Sequence, residues 1–191
     1  MKKTGRLVLL SAPSGSGKTT ILQAMLHSVP GVIRSVSATT RPPRVGEKNG
    51  RDYRFLSRLQ FDRARRRGEF LEYAPILSEW YGTPRRPVER ALRAGKTILM
   101  GVDVQGACLI RRSRLPMTTI FLIPPSFQAL EERLRRRGTE TPQQVRARLQ
   151  LARREMKELK RYDYAVVNDR LADAIQFVKA IVKAEQCRVK N

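Results

Sequence analysis

The stretch Ala12-Pro13-Ser14-Gly15-Ser16-Gly17-Lys18-Thr19 has the residue types and spacing of a loop that cradles phosphate groups. Glycines at 15 and 17 let the backbone curl so that successive N–H groups face one point. A helix starting near Lys18 adds the positive end of its dipole at the same spot. Lys18 can bridge the β- and γ-phosphates of a triphosphate as a point charge, and the Thr19 hydroxyl can ligate the Mg2+ that accompanies ATP. The usual pattern opens on glycine, and here the first position is Ala12. A requirement for positive φ at that position would strain the alanine.

Such a loop needs a strand before it and a helix after it, and the chain supplies both. Arg6 to Ser11 (RLVLLS) is a short apolar run rich in strand formers, and Thr20 to His27 has a helical pattern. Thr97 to Val102 (TILMGV), Thr118 to Ile123 (TTIFLI) and Tyr164 to Val167 (YAVV) read as further buried strands, each with a helical stretch after it. This alternation predicts an α/β fold, a central parallel sheet flanked by helices on both faces. Punctuation agrees: Ser57 with Gln60, and Thr141 with Pro142 and Gln144, resemble capping boxes, while Gly68, Gly95 and Gly138 follow helical stretches.

Two regions break the rhythm. Residues from about Val36 to Pro87 are polar and rich in Arg, Pro and Gly, with short alternating stretches at Asp52 to Phe55 and Phe70 to Tyr73, as expected of a small antiparallel insertion. From Ser126 to about Lys160 runs an Arg-rich pair of helices joined at Arg137, Gly138 and Thr139, a joint that suits a lid closing over a ligand. The expectation is one domain, 1–191, with a core of 1–35, 88–125 and 158–191, an insertion at 36–87 and a lid at 126–157.

Composition bounds the function. With 191 residues and 41% hydrophobic content, one compact core is affordable. No apolar run approaches the roughly 18 residues of a membrane span, and Met1 to Arg6 lacks a secretory apolar stretch, so a soluble, cytoplasmic protein without a membrane partner is expected. Cys108 and Cys187 have no Cys or His at metal-ligand spacing, and His27 is the lone histidine, so neither a Ser-His-Asp nor a Cys-His set is available. The net charge of +22 fits either a polyanion partner or a site for several phosphates on a solvated basic surface. Aromatic residues, 6% of the chain, are not interleaved with the basic ones, so nucleic-acid binding is expected only as a side effect of charge.

Past the loop comes a second motif, Ser35-Val36-Ser37-Ala38-Thr39-Thr40-Arg41-Pro42-Pro43-Arg44-Val45-Gly46-Glu47 followed by Gly50-Arg51-Asp52-Tyr53-Arg54-Phe55. It continues through Gly68-Glu69-Phe70-Leu71-Glu72-Tyr73, Tyr81-Gly82-Thr83, Val102-Asp103-Val104-Gln105-Gly106, Arg133 with Arg136-Arg137-Gly138-Thr139-Glu140, and Val167-Asn168-Asp169. In these segments, in order and over nearly the whole chain, the sequence resembles the guanylate kinases, P-loop nucleoside-monophosphate kinases. The resemblance implies a P-loop kinase fold with a GMP-binding insertion and a helical lid. It implies transfer of the γ-phosphoryl group of MgATP to GMP or dGMP, giving ADP and GDP in purine nucleotide metabolism.

The same resemblance implies roles residue by residue. Ala12, Pro13, Ser14, Gly15, Ser16, Gly17, Lys18 and Thr19 would hold ATP, with Thr19 on the metal. Arg41 and Arg44 would grip the GMP phosphate, with Tyr53 and Tyr81 donating hydroxyls to it; without the resemblance the two arginines also read as solvated charge. Glu72 would read guanine, because a carboxylate accepts from both N1–H and the N2 amino group, and Ser37 and Thr83 would address O6. Asp103 would bind the GMP side or hydrated Mg2+, or else cap the helix Val104 to Arg111. Two residues earlier, where the family commonly carries an acid, stands Gly101. In the lid, Arg133, Arg137 and Arg148 match arginines that contact ATP or the transferring phosphoryl group, and Arg137 would also stack on adenine. Arg135, Arg136, Arg146, Arg153 and Arg154 read as solvated helix faces. Asn168 matches a residue near the adenine, or caps the final helix from Leu171. Lys18, Arg41, Arg44, Arg137 and Arg148 form the catalytic set.

Overall fold

The structure is a computed structural model describing residues 5–76, 78–136 and 141–188. The chain runs β1 (Arg6–Ser11), α1 (Lys18–Ser28), β2 (Val32–Arg34), β3 (Ala38–Thr39), β4 (Arg54–Phe55), α2 (Arg58–Arg66), β5 (Phe70–Ile76), β6 (Glu79–Pro84) and α3 (Arg85–Arg93). It continues through β7 (Thr97–Val102), α4 (Val104–Arg111), β8 (Met117–Ile123), α5 (Phe127–Arg136), α6 (Pro142–Met156), a short 3-10 helix (Lys157–Arg161), β9 (Tyr164–Val167) and α7 (Leu171–Gln186).

Five strands form a wholly parallel sheet in the order β2-β7-β1-β8-β9. A strand buried on both faces must be apolar at consecutive positions, and β1 is. Its side chains alternate between two cores. Leu7 and Leu9 pack with Val88 and Leu92 of α3 and Ala107 and Ile110 of α4. Val8 and Leu10 pack with Ile21 and Met25 of α1 and with Ala174, Val178 and Val182 of α7. Each such side chain contributes about 1.5–3 kcal/mol by leaving water, so the central strand is the best anchored platform for the loop that leaves its end.

A second sheet has the order β4-β3-β6-β5. The β5–β6 and β3–β6 pairs are antiparallel, while β4 lies parallel to β3 because the chain between them returns to the starting end. Phe61 of α2 stacks on Phe70 with ring centroids 4.6 Å apart and gives this sheet a small core of its own with Ala38.

Helix ends follow the residues that punctuate them. Ser57–Gln60 and Thr141–Gln144 close both hydrogen bonds of a capping box at α2 and α6. Gly68 and Gly95 follow α2 and α3 with φ of 65° and 74°. Gly138, with Arg137 and Thr139, lies outside the described residues. Among the described residues no helix is long and apolar enough to cross a membrane.

Candidate active site

The loop after β1 leaves the carboxyl end of the sheet, where parallel strands present ligands to adjacent helix N-termini. Gly15 and Gly17 adopt φ of 95° and 84°, and the Ser16 N–H donates to the Pro13 carbonyl at 3.1 Å to close the turn. Gly17 sits at the N-cap of α1 with no side chain capping the helix, so the dipole end faces the loop. Ala12 causes no strain. Among the described residues Arg114 is the one non-glycine with positive φ, and Ala12, 4% exposed, packs into the core shared by α1 and α7.

Beside the loop a cleft of about 450 Å³ runs between the two sheets, lined among others by Lys18, Thr19, Ser37, Tyr53, Glu72, Tyr81, Thr83 and Asp103. Lys18 donates through Nζ to the Val102 carbonyl at 2.7 Å. Burial pushes its pKa below the ordinary lysine value, while Asp103 and Glu155 pull it back up. Glu72 accepts the Thr83 hydroxyl at 2.6 Å. Burial raises its carboxyl pKa, against Thr83, and the nearby Asp103 charge raises it further. Asp103 caps α4, its Oδ1 accepting the Gly106 N–H at 2.6 Å, so the capping role is met, and it also lines the cleft.

Gly106 explains how two carboxylates fit there. A Cβ on it would stand 3.0 Å from Asp103 Oδ1 and 3.7 Å from Glu72 Oε2.

Arg41 and Arg44 are held apart from the cleft lining. Arg41 reaches both Glu47 oxygens through Nη2 at 2.8 and 2.9 Å, and its guanidinium lies 5.6 Å from the Tyr53 ring and 5.9 Å from Phe55. Arg44 is exposed, with its backbone N–H on Glu47 Oε2 at 2.7 Å. Neither arginine lines the cleft in this conformation.

The helical pair meets the loop from the other side. Arg148 donates to the Ser14 hydroxyl at 2.7 Å, and Arg133 donates to the carbonyls of Asn168 and Asp169 at 3.1 and 3.4 Å. Asn168 donates through Nδ2 to the Ser16 carbonyl at 2.8 Å. It does not cap the final helix: Arg170 occupies the α7 N-cap without a side-chain bond. Arg137 lies outside the described residues.

A protein-family model described as guanylate kinase matches residues 4–185. The guanylate kinase of Rhodopseudomonas palustris is 45% identical over 189 residues, 98% of this chain and 86% of the relative. That of Desulfitobacterium hafniense is 42% identical over 187 residues, 98% of this chain and 94% of the relative. The crystal structure of guanylate kinase from Anaplasma phagocytophilum superposes with a TM-score of 0.75 at 32% identity, covering 98% of this chain and 89% of that one.

The chain belongs to the guanylate kinase family.

Three features of this guanylate kinase family member escaped sequence reasoning. Arg34 and Ser35, at the end of β2, line the cleft. Glu155, near the end of α6, has its carboxyl pKa pushed up to about 7 by burial first and Asp103 second, with Lys18 drawing it back down. Nothing local marks it, because it comes within electrostatic reach of Asp103 and Lys18 only when α6 docks. Finally, a Cβ on Gly101 would stand 2.2 Å from Leu22 Cδ1, so a helix leucine fills the space that a side chain here would need.

Proposed function

We propose that the chain transfers the γ-phosphoryl group of MgATP to the phosphate of GMP or dGMP, giving ADP and GDP. The observation that carries this reading is one cleft holding both the phosphate-loop lysine, Lys18, and a half-buried carboxylate, Glu72, oriented by Thr83. A carboxylate accepts two adjacent donors of guanine, and adenine offers no such pair; each mismatched buried contact costs about 1–3 kcal/mol.

The loop Ala12 to Thr19 binds the triphosphate in this proposal, with Lys18 compensating charge between the β- and γ-phosphates. Arg133, Arg137 and Arg148 attend ATP and the transferring group from the lid. Arg41 swings from Glu47 onto the acceptor phosphate, joined there by Arg44 and by the hydroxyls of Tyr53 and Tyr81. Ser37 and Thr83 address O6. The acceptor oxygen needs no general base, since a phosphate monoester is largely ionised near pH 7 with its second pKa at about 6. Catalysis then rests on alignment and charge stabilisation, and one cation at 4 Å supplies up to about 4 kcal/mol at an effective dielectric of 20.

Thr19 and Asp103, which line the same cleft, are hard oxygen donors of the kind magnesium takes. They fit a Mg2+ carried in on ATP, which when bound neutralises charge on the phosphate oxygens. We assign residues 36–87 to the GMP side and 126–157 to the lid, whose closure excludes water from the phosphates. Free thiols at Cys108 and Cys187 suit the reducing cytoplasm.

A coupled assay with MgATP and GMP, dGMP or AMP tests the reading. GDP formation with GMP and poor turnover of AMP are expected; equal turnover of AMP and GMP defeats the guanine assignment.

A further inference from the structure

Four successive residues of the phosphate loop are held from outside the loop. The Ser14 hydroxyl accepts from Arg148. A Cβ on Gly15 would meet Leu130 Cδ1 at 3.0 Å and Leu134 Cδ2 at 3.1 Å, so α5 packs directly against that glycine. The Ser16 carbonyl accepts from Asn168 Nδ2 at 2.8 Å. A Cβ on Gly17 would stand 2.5 Å from that same Nδ2.

One side chain therefore governs the Ser16–Gly17 peptide, and it is itself fixed. Asn168 is 4% exposed, its backbone N–H donates to the Ile123 carbonyl at the end of β8 at 2.7 Å, and its carbonyl accepts from Arg133 of α5. Because a peptide is planar and trans, turning the Ser16 carbonyl toward Asn168 turns the Gly17 N–H the opposite way. Glycines at 15 and 17 leave the loop free to flip that peptide, and a flipped carbonyl would present a negative dipole to a bound phosphate.

We infer that Asn168 is a positioning residue for the phosphate loop, holding the Ser16–Gly17 peptide so that its N–H faces the triphosphate, and linking that peptide through Arg133 to α5. This rests on the loop being the triphosphate site. Its role is to shape the cradle, and its contribution is independent of the base attached to the phosphates.

The test compares MgATP with inorganic tripolyphosphate, which has no base, by calorimetry on the full chain and on Asn168→Leu, a neutral replacement of similar size without the amide. The expected result is an equal loss of affinity for both ligands, about tenfold, as for a lost buried hydrogen bond, with GMP affinity within about twofold of the native chain. Should the leucine variant not fold, Asn168→Ala is read by the same criteria. A loss for MgATP alone assigns Asn168 to the adenine and overturns the inference. No loss for either ligand, or a matching loss for GMP, overturns it too. If the native chain binds neither MgATP nor tripolyphosphate, the site reading itself fails and the inference falls with it.

Discussion

Thr83 and Glu72 face each other in register across the β5–β6 pair, and the Thr83 hydroxyl donates to Glu72 Oε1 at 2.6 Å. Local strand pairing thus orients the carboxylate before any ligand arrives. In the proposed guanine site, Glu72→Gln would set a donor in place of one acceptor oxygen against guanine donors. Its kcat/KM for GMP should fall about 10- to 100-fold, with KM for MgATP within about twofold. Steady-state kinetics with GMP varied checks this, and unchanged GMP efficiency removes Glu72 from the guanine site.

Lys18 is a half-buried cation whose ionised form is disfavoured by desolvation. Lys18→Met should lower kcat at least about 100-fold, close to 3 kcal/mol of transition-state stabilisation. The melting temperature should stay level or rise, because a partly desolvated charge is gone. Thermal melts beside rate measurements read both, and a variant that turns over at the native rate contradicts the role.

Glu47 holds Arg41 against the Tyr53 and Phe55 rings. Glu47→Gln should raise KM for GMP about three- to tenfold through a less ordered guanidinium, with kcat changed less. The same change in KM for MgATP, without one for GMP, would place the pair outside the acceptor site.

Glu155 has its pKa raised to about 7 from an ordinary 4.5. A raised carboxyl stabilises the fold most below its unfolded pKa and loses that contribution as pH rises through the folded value. Between pH 5 and 8 the native protein should therefore lose stability from this group while Glu155→Gln does not. The melting temperature of the variant minus that of the native chain should become more positive with pH, and a difference that is flat or falls refutes the assignment.

Gly101 and Leu22 occupy one space. Gly101→Ala should destabilise by about 1 kcal/mol, the low end for overpacking because a leucine tip can move. Adding Leu22→Ala should make the alanine at 101 cost less, giving a favourable coupling in a double-mutant cycle of urea unfolding. Additive losses would mean that the two side chains do not compete.

Much of the fold was legible in the chain because its elements have local causes. The runs RLVLLS, TILMGV and YAVV became strands with the expected bounds, and TTIFLI gained only Met117. Both capping boxes formed where Ser57 and Thr141 specified them. Short strands were harder. β2 and β3 have three and two residues, too few to show alternation, and β3 and β4 form only through pairing with distant partners. Asp52 to Phe55 shrank to Arg54–Phe55, and Phe70 to Tyr73 lengthened to Ile76.

The order of residues alone determined a glycine-rich loop between a buried strand and a helix, with the spacing expected of a phosphate cradle, and a second motif that resembled a guanine-nucleotide acceptor site. Backbone conformation, capping and hydrophobic period act over a few residues, so they can be read locally. Only the tertiary structure decided that Ala12 is unstrained, that Arg41 rests on Glu47, that Asn168 reaches Ser16, and that Glu155 shares the electrostatics of Lys18 and Asp103. Those relationships join residues far apart in the chain, and their burial, distance and charge exist only once the helices have docked on the sheets.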